Sequence, residues 1–224
     1  MADSVTITEV GLRDGLQNHP VTLSTDDKLA LLAVLLESGI CAFEVTSFVS
    51  PRAVPQLADA ADLAARLPQP DGVAFEALVP NMTGFRRACD AGFRKVSVVV
   101  GATDTFNRRN IGMPLDAAVT SARDILAAAR ADGVMTRAYI SMATACPYEG
   151  PTPAGVVRDL AQTLFDAGAC EVIVGDSIGA GTPRQIDALF ADLVRVHGAE
   201  RLCAHFHDTQ GMGLANTWAA LGRG

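Results

Sequence analysis

Val96-Ser97-Val98-Val99-Val100 is a short run in which almost every residue is β-branched and apolar. A strand with one wet face alternates polar and apolar residues. This run does not, so it predicts a strand buried on both faces, as in a parallel sheet sheathed by helices. The pattern recurs on either side, with strands predicted over Val5–Glu9, Cys41–Val45, Val73–Leu78, Lys95–Val100, Val134–Ile140, Cys170–Val174 and Leu202–Phe206. Amphipathic stretches such as Asp26–Ser38, Leu115–Ala131 and Arg184–Val196 predict helices between them. Thr182 before Pro183 reads as an N-cap with proline in the first turn. Gly39, Gly92, Gly133, Gly168 and Gly198 stand where helices should end.

The strand starts recur roughly every 33 residues, one βα unit repeated. Two architectures use such units, a closed (β/α)8 TIM barrel and an open doubly wound sheet. The second expects G-x-G-x-x-G after the first strand, and here that turn reads Gly11-Leu12-Arg13-Asp14-Gly15. The expectation is therefore an α/β fold, a (β/α)8 TIM barrel with seven βα units visible and the eighth missing from this chain. Residues 1–224 are expected to form a single barrel domain that stops before strand eight.

At 224 residues and 49% apolar content, the chain can bury a large core, which excludes disorder and small disulfide-stapled scaffolds. A net charge of -7 argues against a nucleic-acid partner, because phosphate backbones reward clustered Lys and Arg. Cys41, Cys89, Cys146, Cys170 and Cys203 are scattered and form no C-x-x-C pair. Neither a signal peptide nor an apolar run of about 18 residues is visible. The expectation is a reduced, cytoplasmic protein with no membrane partner.

In a barrel, chemistry collects at the carboxyl ends of the strands. His205 and His207, two apart on a strand, point to the same side and suit a shared cation. Asp14, straight after strand one, is the expected third ligand. Two imidazoles and a carboxylate without sulfur suit Mg, Mn, Co or Zn. Arg13 beside them offers a fixed fork of donors for a developing enolate or carboxylate oxygen. Glu44 ends a buried strand, where an unpaired carboxylate is expensive, so it is expected to pair with Arg13 or to touch the site. Gln17 and Tyr139 are expected to line the substrate site. Gly175-Asp176-Ser177-Ile178-Gly179 also spells the G-x-S-x-G of a serine hydrolase elbow. An elbow runs directly into its helix, whereas the helix signal here waits for Thr182. Asp176 is therefore read as the functional residue and Ser177 as its neighbour.

These residues resemble the 3-hydroxy-3-methylglutaryl-CoA lyase family of metal-dependent barrel lyases. The stretches that carry the resemblance begin with Glu9-Val10-Gly11-Leu12-Arg13-Asp14-Gly15-Leu16-Gln17-Asn18, Thr46-Ser47-Phe48-Val49-Ser50-Pro51 and Val54-Pro55-Gln56. Further along stand Cys146-Pro147-Tyr148-Glu149-Gly150, Gly175-Asp176-Ser177-Ile178-Gly179, His205-Phe206-His207-Asp208-Thr209 and Leu214-Ala215-Asn216-Thr217. Leu12 departs from the proline common at that position. The resemblance implies a divalent metal, Mg or Mn, on Asp14, His205 and His207, with Arg13, Glu44, Asp176 and His205 in the catalytic set. It implies retro-Claisen cleavage of a small-molecule CoA-ester substrate to acetyl-CoA and acetoacetate, with Asp176 or a histidine as base, and a homo-oligomer, a dimer. A glycine-rich loop with a catalytic cysteine, and an asparagine of the metal shell, are expected beyond Gly224. Another metal-dependent barrel aldolase or acyl-CoA lyase, or an inactive fragment, is the alternative.

Overall fold

The structure, a computed structural model, describes residues 4–224. They form two compact units, one built on Val5–Ser97 with Asp132–Met135, the other on Val98–Ala131 and Thr136–Gly224.

The first unit runs through β1 (Thr8–Glu9), a π-helical turn (Gly11–Gly15), α1 (Thr25–Leu36), β2 (Ala42–Ser47), a 3-10 turn (Pro55–Leu57), α2 (Ala60–Ala65), β3 (Ala74–Leu78) and α3 (Met82–Asp90). The strand β4 (Lys95–Gly101) begins in it. A capping box starts α1: Ser24 Oγ accepts the Asp27 N–H at 3.1 Å, and the Asp27 carboxylate accepts the Ser24 N–H at 3.3 Å. Two otherwise orphaned donors are thereby met. The strand expected over Val5–Glu9 shortens to β1. Val5 and Ile7 are 55% and 64% exposed, so their apolar alternation has no core to face. Every residue of β2 is buried. Its register against β3 shifts between Glu44 and Thr46, a bulge of the kind that re-aims side chains near a site. Lys28, 1% exposed, ties α1 to α2: its ammonium donates to Asp59 Oδ1 at 2.5 Å and to the Gln56 carbonyl at 2.6 Å.

The second unit holds α4 (Asp104–Ile111), α5 (Leu115–Ala131), β5 (Met135–Ser141), the short strands β6 (Ala145–Cys146) and β7 (Gly150–Pro151), α6 (Ala154–Ala167), β8 (Glu171–Asp176), α7 (Pro183–His197), β9 (Leu202–Phe206) and α8 (Gly213–Leu221). Its core packs Ala138 and Ile140 of β5 and Val172, Ile173 and Val174 of β8 with Leu164 of α6 and Ile186 and Leu193 of α7, all almost fully buried. The expected start of α7 is present in full, with Pro183 in the first turn and a reciprocal cap between Thr182 and Gln185. Gly168 closes α6 at φ 113°, a left-handed conformation that a side chain resists. The antiparallel pair β6–β7, with Cys146 opposite Gly150, interrupts the fifth βα unit.

Seven strands join one sheet in the order β1-β2-β3-β4-β5-β8-β9. The pairs β1–β2, β2–β3, β3–β4, β5–β8 and β8–β9 are parallel. This order follows the chain without a reversal. A doubly wound sheet starts in its middle and reverses once, so the order excludes it and agrees with barrel winding. Among the described residues no helix is long and apolar enough to cross a membrane.

Candidate functional site

In the first unit, the chain leaves β1 through the π-helical turn, and Glu9 begins it by accepting the Gly11 N–H at 2.5 Å. That turn carries Arg13 and Asp14. The Arg13 Nε donates to Glu44 Oε1, and its Nη1 to Asp14 Oδ1 at 2.7 Å. Glu44 has no exposed surface, and Arg13 is 6% exposed. The expectation that Glu44 would pair with Arg13 is met. Two of the guanidinium's three nitrogens are thus held by carboxylates, which fixes the plane of the fork. The second Glu44 oxygen accepts a hydrogen bond from Ser97 Oγ on β4. Gln17 follows in a helical turn and is half-buried.

In the second unit, β9 delivers the imidazole pair. His205 Nε2 and His207 Nε2 lie 3.2 Å apart, so the same-side spacing read from the sequence is realised. Tyr139, 5% exposed on β5, stands edge-on to His205 with ring centroids 5.6 Å apart. His205 is half-buried and Tyr139 buried.

Asp176 ends β8 with no exposed surface. Its carboxylate accepts from Thr144 Oγ1, from the Ala180 N–H at 3.1 Å and from the Gly181 N–H at 2.8 Å. It therefore organises the loop that leads to α7. Gly179 in that loop has φ 62°, and a Cβ there would sit 2.7 Å from the His207 carbonyl oxygen. The His207 N–H in turn donates to the Asp176 carbonyl at 3.3 Å. Backbone contacts thus couple the Asp176 loop to the histidine strand. Ser177 does not sit on an elbow. Its Oγ accepts the Met142 N–H at 3.2 Å, and α7 begins only at Pro183. Met142 is in the left-handed region at φ 60°, and the Thr152 hydroxyl on its carbonyl helps hold it there.

Sequence reasoning missed two polar residues, Ser97 in a valine run and Thr144 in a loop; Asn216, quoted within the Leu214–Thr217 stretch, is fully buried on α8 and donates to the Gly181 carbonyl at 3.0 Å. Ser97 carried a visible signal, a single hydroxyl in an otherwise apolar strand.

Parallel strands wound in chain order, with a guanidinium, carboxylates and an imidazole pair at their carboxyl ends, define an enzyme of the α/β-barrel class. Comparison with known proteins narrows the class. Residues 4–224 match the HMGL-like family model, and the chain belongs to that family. A hydroxymethylglutaryl-CoA lyase of Bacillus subtilis is 39% identical over 220 residues, which are 98% of this chain and 74% of that protein. A crystal structure of hydroxymethylglutaryl-CoA lyase from Pseudomonas aeruginosa superposes with a TM-score of 0.94 at 40% identity, covering 98% of this chain and 73% of that one. An HMG-CoA lyase of Acinetobacter baumannii, solved with coenzyme A and 3-methylmalate, superposes with a TM-score of 0.94 at 28% identity, covering 98% of this chain and 72% of that one. The chain is a carbon–carbon lyase of this family.

Proposed function

We propose that the chain cleaves 3-hydroxy-3-methylglutaryl-CoA to acetyl-CoA and acetoacetate, and that Asp14, His205 and His207 hold one divalent cation, Mg or Mn. The observation that carries the reading is the 3.2 Å between the two imidazole Nε2 atoms. Metal–nitrogen bonds of about 2.0–2.1 Å, the length known for zinc, set neighbouring ligands of one ion about 2.9 Å apart in octahedral and about 3.4 Å in tetrahedral geometry. The pair falls between these values. A carboxylate as third donor, with no sulfur, suits a cation of intermediate or harder character. When bound, such a cation supplies Lewis acidity at the substrate oxygens.

The remaining chemistry belongs to the side chains. A base, Asp176 or a histidine, takes the proton of the C3 hydroxyl. The C2–C3 bond then breaks, C3 becomes the ketone of acetoacetate, and the electron pair passes into the thioester enolate of acetyl-CoA. A proton delivered to C2 completes the exchange. Arg13, anchored through Nε and Nη1, presents its fork to the enolate oxygen as charge develops there. Glu44 keeps that geometry rigid, Asp176 orders the loop before α7, and Gln17 and Tyr139 contact the substrate. The relative solved with coenzyme A supports a CoA ester as the substrate class. Five free cysteines agree with a reducing compartment, and the cytoplasm is the one proposed. A homodimer belongs to the same proposal and is read from solution mass. The test of the function is acetyl-CoA release from 3-hydroxy-3-methylglutaryl-CoA with Mg or Mn and with chelator. Release that depends on the metal and is abolished in His205→Ala supports it. No turnover with any divalent metal contradicts it.

A further inference from the structure

We infer that Ser97 is a positioning residue: its hydroxyl holds Glu44, and through Glu44 the Arg13 guanidinium, in the orientation that meets the developing enolate. The inference rests on the reading of Arg13 given under Proposed function, and extends the site to β4.

The case begins with what a hydroxyl costs at this position. Ser97 has no exposed surface and lies between Val96 and Val98 on β4, where another valine would pack with no polar atom to satisfy. In register it stands opposite Leu78 of β3, and β3 stands between β4 and β2. The side chain nonetheless reaches Glu44 of β2, donating to Oε2. Glu44 is itself fully buried, and a carboxylate without water needs donors on both oxygens. Arg13 Nε serves Oε1 and Ser97 serves Oε2. The two donors pull on opposite oxygens, so the carboxylate cannot rotate about its last bond without losing one of them. Arg13 is held through this carboxylate at Nε, the atom nearest its flexible stem. Loss of the serine donor therefore loosens the carboxylate on which Nε rests, while Asp14 still holds Nη1. The relay Ser97 to Glu44 to Arg13 lies within one compact unit and links a strand interior to the turn that carries Asp14.

The test uses the full chain loaded with Mg. Ser97→Ala removes the hydroxyl, and Ser97→Cys keeps the volume with a far weaker donor, so a packing defect in the first is controlled by the second. Both are expected to lower kcat about ten- to a hundredfold, with KM for 3-hydroxy-3-methylglutaryl-CoA changed less than about threefold. In an Arg13→Lys background, Ser97→Ala is expected to lower kcat no further, because the residue acts through the arginine. The Arg13 Nε–H resonance, identified by its loss in Arg13→Lys, is expected to shift and broaden in both serine variants. An unmoved resonance overturns the inference whatever the rates do. A kcat within about twofold of the parent in both variants, or an effect that multiplies with Arg13→Lys, also overturns it. A parent chain that releases no acetyl-CoA with any metal refutes the proposed function instead, and the resonance still decides the role of Ser97.

Discussion

Glu44→Gln keeps the shape of the side chain and removes its charge, which makes it a sensitive probe of the buried pair. Glu44 has no exposed surface and Arg13 only 6%, so neither charge has bulk water to fall back on. Removing one member of such a pair costs about 3–5 kcal/mol, chiefly because the other charge stays buried. Asp14 remains 2.7 Å from Arg13 Nη1 and recovers part of this. A loss of about 2–4 kcal/mol is expected. For a chain of this size, each kcal/mol moves the unfolding midpoint by about 2–4 °C, which places the shift at about 5–15 °C. The assay is thermal unfolding at pH 7, followed by circular dichroism and by calorimetry. A double variant, Arg13→Met with Glu44→Leu, removes both charges and is expected to recover stability relative to Glu44→Gln while abolishing acetyl-CoA release. A Glu44→Gln midpoint within about 2 °C of the parent would show that the pair is solvated, and would refute the argument from burial.

Three other perturbations follow from the same physics. Asp59→Ala strands the Lys28 ammonium, 1% exposed, leaving the Gln56 carbonyl beside it; a loss of about 3–5 kcal/mol in urea unfolding is expected, and Asp59→Ala with Lys28→Met restores much of it. His197 is held below the ordinary imidazole pKa by burial and, less, by Arg201, while Asp166 and Asp192 oppose the shift. The unfolded chain then takes up that proton at higher pH than the folded one, so its contribution to stability is full above about pH 6.5 and falls as the pH drops through that value. The urea midpoint should decline from pH 8 to pH 5, and less steeply in His197→Gln; equal slopes would refute the assignment. Gly179→Ala forces a Cβ to 2.7 Å from the His207 carbonyl at φ 62°. It is expected to cost about 1–3 kcal/mol and to weaken Mn binding, because the atom displaced belongs to the histidine strand.

Much of this architecture was legible before any coordinates. The valine run gave β4 because a strand buried on both faces has no polar alternation to hide, and the Thr182-Pro183 pair gave the start of α7 because capping is local chemistry. The Arg13–Glu44 pair was legible for a different reason: a carboxylate within a buried strand is costly unless a cation or the site partners it. What escaped depends on partners distant in sequence. Val5 and Ile7 alternate like a strand, yet nothing covers them. The β6–β7 hairpin has two residues per strand, too few to register as a period. Lys28 reads as an exposed helical lysine, and only the packing of α1 on α2 buries it against Asp59. The three donors on Asp176 include Thr144, 32 residues upstream, which no local pattern announces.

The central claim is that one cation is shared by the histidine pair of β9 and the aspartate that follows β1. Equilibrium Mn2+ binding, followed by electron paramagnetic resonance of the free ion, tests it most directly. One ion per chain is expected in the parent, with loss of that site in His207→Ala and in Asp14→Ala, both variants still folded. Binding that persists with unchanged affinity in either variant would contradict it.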